Sequence, residues 1–115
     1  ASKAIQKKHY APLLDVSHAP YGDLDFIDNQ LDWAPVMLLL VPKKHMTQTE
    51  LWTGGPVLAR LGTLAVRMGL EHCPNGFRIL SNFGHDALQT QHHGHLHVVG
   101  GTQLGLYVGR QGSVT

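Results

Sequence analysis

The sequence predicts one domain of mixed α and β structure, with the element order strand, strand, helix, strand, strand. A short apolar run, VMLLLVP, is typical of a strand that is buried on both faces. Apolar residues recur at helical spacing after Pro56, and the stretches FRILSN and HHGHLHVV then alternate as strands do. A chain of 115 residues, 43% of them apolar, is long enough to build a single core.

The first two strands are predicted in the first half of the chain. Residues Asp25 to Asp28, with the sequence DFID, indicate a short strand or the end of one. The turn-like stretch NQLDWAP follows, and it leads into the apolar run from Val36 to Pro42, which PKKH ends. The stretch from Thr47 to Trp52 indicates a short turn before the helix.

The main helix is predicted over about residues 56–70. Pro56 suits the first helical turn, and one apolar face is formed by Val57, Leu58, Leu61, Leu64, Ala65 and Met68. CPNG is a turn signal, after which FRILSN and HHGHLHVV form the two halves of a hairpin. GLYVG, near the end of the chain, indicates a last short strand or a docked tail.

Composition narrows the classes of function. The formal net charge is +1, so no general basic field points to a nucleic-acid partner. No apolar run is long enough to span a bilayer, and no signal-peptide pattern is visible at the start. A lone Cys73 forms neither an internal disulfide nor a thiolate zinc site. We therefore expect a cytoplasmic protein with no membrane partner.

The stretch LQTQHHGHLHVVGG places histidine at every second position, at His93, His95 and His97. Residues two apart in a strand lie on the same face, so this pattern predicts a strand with one imidazole face. Leu96 and Val98 point the other way and suit a core beneath the helix. The alternation, more than the number of histidines, therefore calls for an explanation.

Three interpretations of this face compete. The first is an ordinary polar strand surface, for which serine or lysine would serve equally well. The second is a metal site, in which a histidine pair joins a remote ligand such as His45 or His85, because the outer two histidines of one strand lie about 13 Å apart. The third is covalent chemistry with phosphate, because a neutral imidazole is a competent nucleophile near pH 7.

The residues His93 to Val99 resemble the H-φ-H-φ-H-φ-φ signature of the histidine triad (HIT) superfamily, where φ is an apolar residue. Gly100-Gly101, the upstream LLLVPKKH and the stretch RILSNFG look like the Hint (histidine triad nucleotide-binding) branch. Asn82 lies thirteen residues before His95, which is similar to the family spacing.

The resemblance implies an α+β fold with a central antiparallel sheet and one main helix, and a homodimer. It also implies hydrolysis or nucleotidyl transfer at nucleoside monophosphate derivatives, such as phosphoramidates, with a purine (AMP-like) ligand. His95 would be the nucleophile that forms a nucleotidyl-histidine, His97 would bind phosphate and assist the leaving group, and His93 would orient His95. The scheme requires no cofactor, and zinc is a less favoured alternative.

Further site residues follow from the same resemblance. Asn82, Gln89 and Thr90 would contact the phosphate or the scissile bridge. Phe26 would line the base pocket and Asp28 would accept hydrogen bonds from the ribose hydroxyls, while a core side chain and a turn residue are the alternatives for these two. The domain is expected over residues 25–115, after a divergent N-terminal segment, residues 1–24.

The chain also departs from the family pattern. Met37 stands where many Hint-like proteins carry another histidine, Leu88 where a glycine often lets the backbone approach phosphate, and Gly94 where the family has an apolar residue. Gly94 is expected to loosen local packing. The Trp-containing tail of closer Hint relatives is missing. The departures at Met37 and Leu88 and the divergent N-terminal segment motivate one alternative, a catalytically weak purine nucleotide-binding regulatory protein. The nine histidines of the chain motivate another, a histidine-based metal-binding protein.

Overall fold

A four-stranded antiparallel sheet forms the centre of the protein, whose computed structural model describes residues 21–106. The strands are β1 (Leu24–Asp28), β2 (Val36–Pro42), β3 (Phe77–Leu80) and β4 (Leu96–Gly100), and they lie in the order β1-β2-β4-β3. Two helices, α1 (Gln48–Thr53) and α2 (Pro56–His72), separate β2 from β3. The predicted α+β class with one main helix is confirmed. Most of the predicted N-terminal segment and most of GLYVG lie outside the described residues.

The apolar run of β2 occupies the middle of the sheet, as its sequence predicts. Leu38 and Leu40 are completely buried on one face, and Met37 and Leu39 are almost completely buried on the other. β2 pairs with β1 over residues 38–42 and with β4 over residues 36–40, so its central residues are paired on both sides. A strand in this position is apolar throughout because neither face meets water.

Helix α2 covers one face of the sheet and creates the main core. Pro56 lies at its first turn, as expected, and the buried residues of the helix are Leu61, Leu64, Ala65, Met68 and Gly69. A Cβ on Gly69 would lie only 2.4 Å from the ring of Phe77. This glycine therefore lets β3 approach the helix closely enough for the aromatic ring to pack on its backbone.

Helix α1 is a six-residue helix where the sequence analysis expected a turn. Its start is stabilised by a capping box: the hydroxyl of Thr47 accepts from the N–H of Glu50 at 3.1 Å, and the carboxylate of Glu50 accepts from the N–H of Thr47 at 2.7 Å. Leu51, which is 1% exposed, anchors the helix in the main core. The short helix is thus held at both its cap and its buried face.

The other face of the sheet carries only a small apolar cluster. Ala34, Met37 and Val99 are buried there, with Leu80 and Leu104 packed beside them. This face is left partly open next to β4. Among residues 21–106, no helix is long and apolar enough to cross a membrane.

The strand predicted over residues 92–99 is wrong at its start, because β4 begins only at Leu96. The ladder to β2 ends at the pair Leu40 and Leu96, and the ladder to β3 ends at Leu80 and His97. Before that point the chain bonds to the segment preceding α1 instead: the N–H of Gly94 donates to the carbonyl of Met46 at 2.6 Å. Only His97 of the three alternating histidines therefore lies in a regular strand.

The predicted boundary between residues 24 and 25 falls inside β1. Leu24 is the first residue of that strand and is fully buried, and Tyr21 is also part of the main core. The end of the segment assigned as divergent is therefore structurally part of the domain. The extent of the domain towards each terminus stays a prediction.

Candidate active site

His95 and His97 form a close pair at the point where the sheet opens. Their ring centroids are 5.1 Å apart and the rings are almost perpendicular, with an interplanar angle of 87°. His97 lies in β4, and His95 lies in the extended segment just before it. The alternation in the sequence therefore brings two of the three histidines into ring contact, although the strand itself is shorter than expected.

The tautomer of His95 follows from its surroundings. Its Nδ1 lies 2.7 Å from the backbone carbonyl oxygen of His93, and a carbonyl only accepts, so Nδ1 carries the proton. In a neutral imidazole the lone pair is then on Nε2. Burial lowers the pKa of His95, outweighing the hydrogen bond to His93, which raises it, and the His93 ring lowers it further. Near pH 7 this side chain is neutral with a nucleophilic Nε2.

The backbone of His95 is held by side chains of distant residues. Its N–H donates to Oε1 of Gln48 at 2.8 Å, and its carbonyl accepts from the hydroxyl of Ser81 at 2.8 Å. Nε1 of Trp52 also donates to this carbonyl, at 3.5 Å. Gln48 and Ser81 were not among the predicted site residues, although the T-x-x-E capping box locates Gln48 at the start of a helix.

His97 points to the open face of the sheet and is also kept neutral. Burial lowers its pKa from 6.5 to about 4, and the neighbouring His95 contributes to the shift. Its Nδ1 is buried and has no hydrogen-bond partner in the described part of the chain. A buried polar atom without a partner is costly in the folded state, which is typical of a group that meets its partner in a ligand.

The ring of His93 is bonded to the end of β2 and lies beside His45. Its Nε2 donates to the carbonyl of Pro42 at 2.7 Å, and its Nδ1 lies 3.3 Å from Nδ1 of His45. That all three histidines share one face stays a prediction for His93. What this residue offers His95 is its backbone carbonyl. His45, named above as a possible remote metal ligand, is exposed and lies beside the His93 ring.

A cleft of about 440 Å³ lies beside His97 on the open face. Asn82, Met37, Trp33 and Leu88 are among the residues that line it. Leu88 is 69% exposed and has a φ of 58°, in the left-handed region that favours glycine. The position where the family often has glycine therefore keeps the glycine-like backbone conformation, with an apolar side chain added at the cleft.

The loop between β3 and β4 is closed by Gln89. Its Oε1 accepts from the N–H of Gly84 at 2.8 Å, and its Nε2 donates to the carbonyl of Gln91 at 2.9 Å. The side chain expected to contact phosphate is thus already engaged in shaping the loop. Thr90 is exposed on the same loop, two residues after Leu88.

Phe26 and Asp28 are not placed with the histidine pair. Phe26 pairs with Leu40, which pairs with Leu96, and directly paired residues lie on the same face of a sheet. Leu96 and His97 are consecutive and point to opposite faces. Phe26 therefore lies on the helix side, in the main core, and Asp28 shares that face, with its carboxylate accepting from the N–H of Gln30. Their placement does not support the predicted base and ribose contacts.

Gly94 is a site of close approach and not of loose packing. A Cβ at this position would lie 2.9 Å from Cβ of Leu51 and 3.0 Å from the carbonyl oxygen of Thr47. The missing side chain lets the histidine segment lie directly against α1. Within residues 21–106, no three histidine, cysteine, aspartate or glutamate side chains are arranged to hold a metal ion.

The antiparallel sheet, its single main helix and the paired histidines at the start of a central strand define a histidine triad protein. The sequence model of the HIT domain matches residues 28–104, and the chain belongs to the HIT family. An uncharacterised HIT-like protein of Chlamydia trachomatis is 35% identical over 85 residues, which cover 69% of this chain and 74% of that protein.

Two solved structures show the same likeness. A HIT family hydrolase from Clostridium thermocellum superposes with a TM-score of 0.64 at 27% identity, over 75% of this chain and 78% of the other. A hypothetical histidine triad nucleotide-binding protein from Sulfolobus tokodaii superposes with a TM-score of 0.55 at 25% identity, over 68% of this chain and 54% of the other.

Proposed function

We propose that the protein hydrolyses nucleoside monophosphate derivatives, with phosphoramidates as the first candidates, through a covalent nucleotidyl-histidine at His95. The observation that carries this proposal is the hydrogen bond from Nδ1 of His95 to the carbonyl of His93. It leaves Nε2 unprotonated, as a nucleophile must be. The HIT family membership and the similarity to a HIT family hydrolase support the same reaction class.

In the first step, the lone pair of His95 Nε2 attacks the α-phosphorus and the phosphorus–nitrogen bond to the leaving amine breaks. The bond pair goes to the amine nitrogen, which must gain a proton to leave. The imidazole now bears a positive charge. Its Nδ1–H still donates a hydrogen bond to the carbonyl oxygen of His93, and this bond stabilises the charge. In the second step, water attacks the same phosphorus and the bond from phosphorus to Nε2 breaks, with its electron pair returning to Nε2. The attacking water gives its proton to His97, which the first step left neutral, so the nucleoside monophosphate is released and His95 returns to its neutral form.

His97 is our candidate for the proton donor. In the free protein burial keeps its pKa at about 4, so it is neutral near pH 7. A phosphate anion that binds beside it favours the protonated form and raises this pKa. Substrate binding would thus charge His97 where the amine leaves, and the imidazolium would give its proton to the amine as the bond breaks.

The phosphate oxygens would be held by the loop between β3 and β4. Asn82 lies at the cleft beside His97, and Thr90 lies exposed on the same loop. Gln89 supports this loop through its two hydrogen bonds. It would therefore affect phosphate binding by shaping the loop and not by direct contact. His93 contributes its carbonyl and, through its ring, a bond to the end of β2.

The test is hydrolysis of an adenosine 5′-phosphoramidate by the wild-type protein, by His95→Ala and by His92→Ala, each with and without EDTA. His92 is an exposed neighbouring histidine and provides the matched control. We expect His95→Ala to lose about 10³-fold or more in kcat, His92→Ala to match the wild type, and EDTA to change nothing. Mass spectrometry of the quenched reaction should find the nucleotidyl group on His95. Equal activity of His95→Ala and the wild type would refute the proposal.

A catalytically weak nucleotide-binding protein is the second candidate, and Leu88 favours it. Its exposed side chain borders the cleft at a position with left-handed backbone geometry. A side chain there can hinder the approach of phosphate to the loop. Saturable binding of AMP by calorimetry, together with no turnover of the phosphoramidate, would support this candidate over the first.

Three finer expectations accompany the proposal and stay predictions. The Hint-like features of the sequence suggest that branch of the family, a purine nucleotide as ligand and a homodimer in the cytoplasm. Sedimentation at micromolar concentration tests the dimer, and a monomer there would remove it. Competition between AMP and a pyrimidine monophosphate tests the preference for purines.

A further inference from the structure

The sheet opens on both sides of β4 at His95, which leaves that residue without strand partners. β2 pairs with β4 only as far as Leu96, and β3 pairs with it only as far as His97. His95 is nevertheless 3% exposed, so its backbone N–H and carbonyl are shielded from water. Buried backbone groups of this kind must find partners elsewhere.

Gln48 and Ser81 take the place of the missing strands, and Trp52 adds a longer bond to the same carbonyl as Ser81. Gln48, at the start of α1, accepts from the N–H of His95 through Oε1, and its Nε2 donates to the hydroxyl of Ser81 and, at 3.1 Å, to the carbonyl of Asn82. Ser81, just after β3, donates its own hydroxyl to the carbonyl of His95. The N–H of His95 only donates, so the amide orientation of Gln48 is determined.

We propose that Gln48 and Ser81 are positioning residues, which hold the backbone of His95 from both sides so that its imidazole meets the phosphorus in line. This inference rests on the proposed function. Gln48 is 3% exposed and all its amide groups are engaged within this network, so none is left over to contact a substrate. Its effect on the reaction must pass through His95.

The network is supported from outside the site. The capping box of Thr47 and Glu50 determines where α1 begins, and buried Leu51 anchors the same helix. Gly94 permits the contact, because any Cβ there would push the histidine segment away from Leu51 and Thr47. Because Gln48 belongs to α1, the position of this helix determines where the backbone of His95 is held.

Loss of the network should affect the rate more than binding. A nucleophile displaced by about 1 Å costs roughly 10²-fold in rate, whereas the phosphate contacts of the loop are made by other residues. We expect Gln48→Met, which removes the amide at similar length, to lower kcat by about 10- to 100-fold with KM changed less than about threefold. Ser81→Ala should give a smaller loss of the same kind.

A double-mutant cycle separates positioning from general destabilisation. Because both side chains act on one backbone, Ser81→Ala should cost much less in the Gln48→Met background than in the wild type. Gln103→Leu, at an exposed glutamine beyond β4, is the control and should leave kcat unchanged. If the two losses multiply independently, or if Gln48→Met retains kcat within about twofold of the wild type, the proposal is overturned.

A second measurement needs no substrate and distinguishes failure of this inference from failure of the proposed function. Hydrogen exchange of the His95 amide should become faster in Gln48→Met, while amides at the centre of β2 stay protected. Unchanged protection of the His95 amide overturns the inference even if the enzyme is active. Faster exchange in a protein that turns over no phosphoramidate supports the network and refutes the reaction. Should Gln48→Met fail to fold, kcat and hydrogen exchange of the His95 amide are measured in Ser81→Ala, which loses only a hydroxyl.

Discussion

Lowering the pH from 8 to 5 should destabilise the folded protein by about 2 kcal/mol through His97 alone. The pKa of this side chain falls from 6.5 to about 4 on folding, because burial and the adjacent His95 disfavour the imidazolium. Between these two values the unfolded chain binds a proton that the folded protein does not. The stabilising contribution of a neutral His97 is therefore fully present above pH 6.5 and is lost as the pH falls towards 4.

The magnitude follows from proton linkage. At pH 6 the unfolded chain is about three-quarters protonated at this position, and the loss relative to pH 8 is roughly 0.8 kcal/mol. At pH 5 the loss is about 2 kcal/mol, and it approaches about 3 kcal/mol when the pH reaches the folded pKa. His95, whose pKa is also lowered, adds to the effect in the same direction.

Urea unfolding followed by circular dichroism at pH 8, 6 and 5 measures this contribution. His97→Gln cannot take up the proton, so its free energy of unfolding should fall by about 2 kcal/mol less between pH 8 and 5 than that of the wild type. His92→Gln removes an exposed imidazole and should follow the wild type. Equal pH dependence in His97→Gln and the wild type would show that His97 is not kept neutral by its surroundings, and the reasoning would fail.

Three further predictions concern the scaffold of the site, each measured by chemical denaturation. Gly69→Ala should destabilise the protein by about 1–3 kcal/mol, because its Cβ would lie 2.4 Å from the Phe77 ring; a change below about 0.5 kcal/mol would contradict this packing. Leu88→Gly should stabilise the protein by roughly 0.5–1 kcal/mol, because glycine adopts a φ of 58° without strain and the leucine is largely exposed. A loss of stability would contradict this and would show that the leucine packs against the cleft. Thr47→Ala should cost about 1 kcal/mol by opening the capping box, whereas the exposed neighbour Thr49→Ala should cost much less.

The elements with strong periodicity were predictable from the sequence. The apolar run of β2 and the apolar face of α2 each produced one unambiguous pattern, and both lie where expected, with α2 extending to His72. The hairpin of β3 and β4 was also predicted, because turn signals and alternation agreed. In each case the local pattern and the tertiary environment favour the same structure.

The failures have a common physical cause. The alternation of the histidines predicted a strand through His93, but the ladder between β2 and β4 stops at Leu40 and Leu96, and the N–H of Gly94 bonds to the carbonyl of Met46 instead. Phe26 was expected in a base pocket, whereas the register of β1 places it on the core side of the sheet. The bonds from Gln48 and Ser81 to His95 join residues far apart in the chain, and no local pattern reports them.

The long sequence separation of the bonds that hold His95 also affects how the protein folds. The bond from His95 to Gln48 spans 47 residues and closes only when α2 and the β3–β4 hairpin are both in place. Closing so long a loop is slow compared with forming a helix or a hairpin, so this contact should form late on the folding pathway. A nascent or partly unfolded chain would then carry its histidines in an unassembled state. The proposed reaction at His95 would then require the complete tertiary structure.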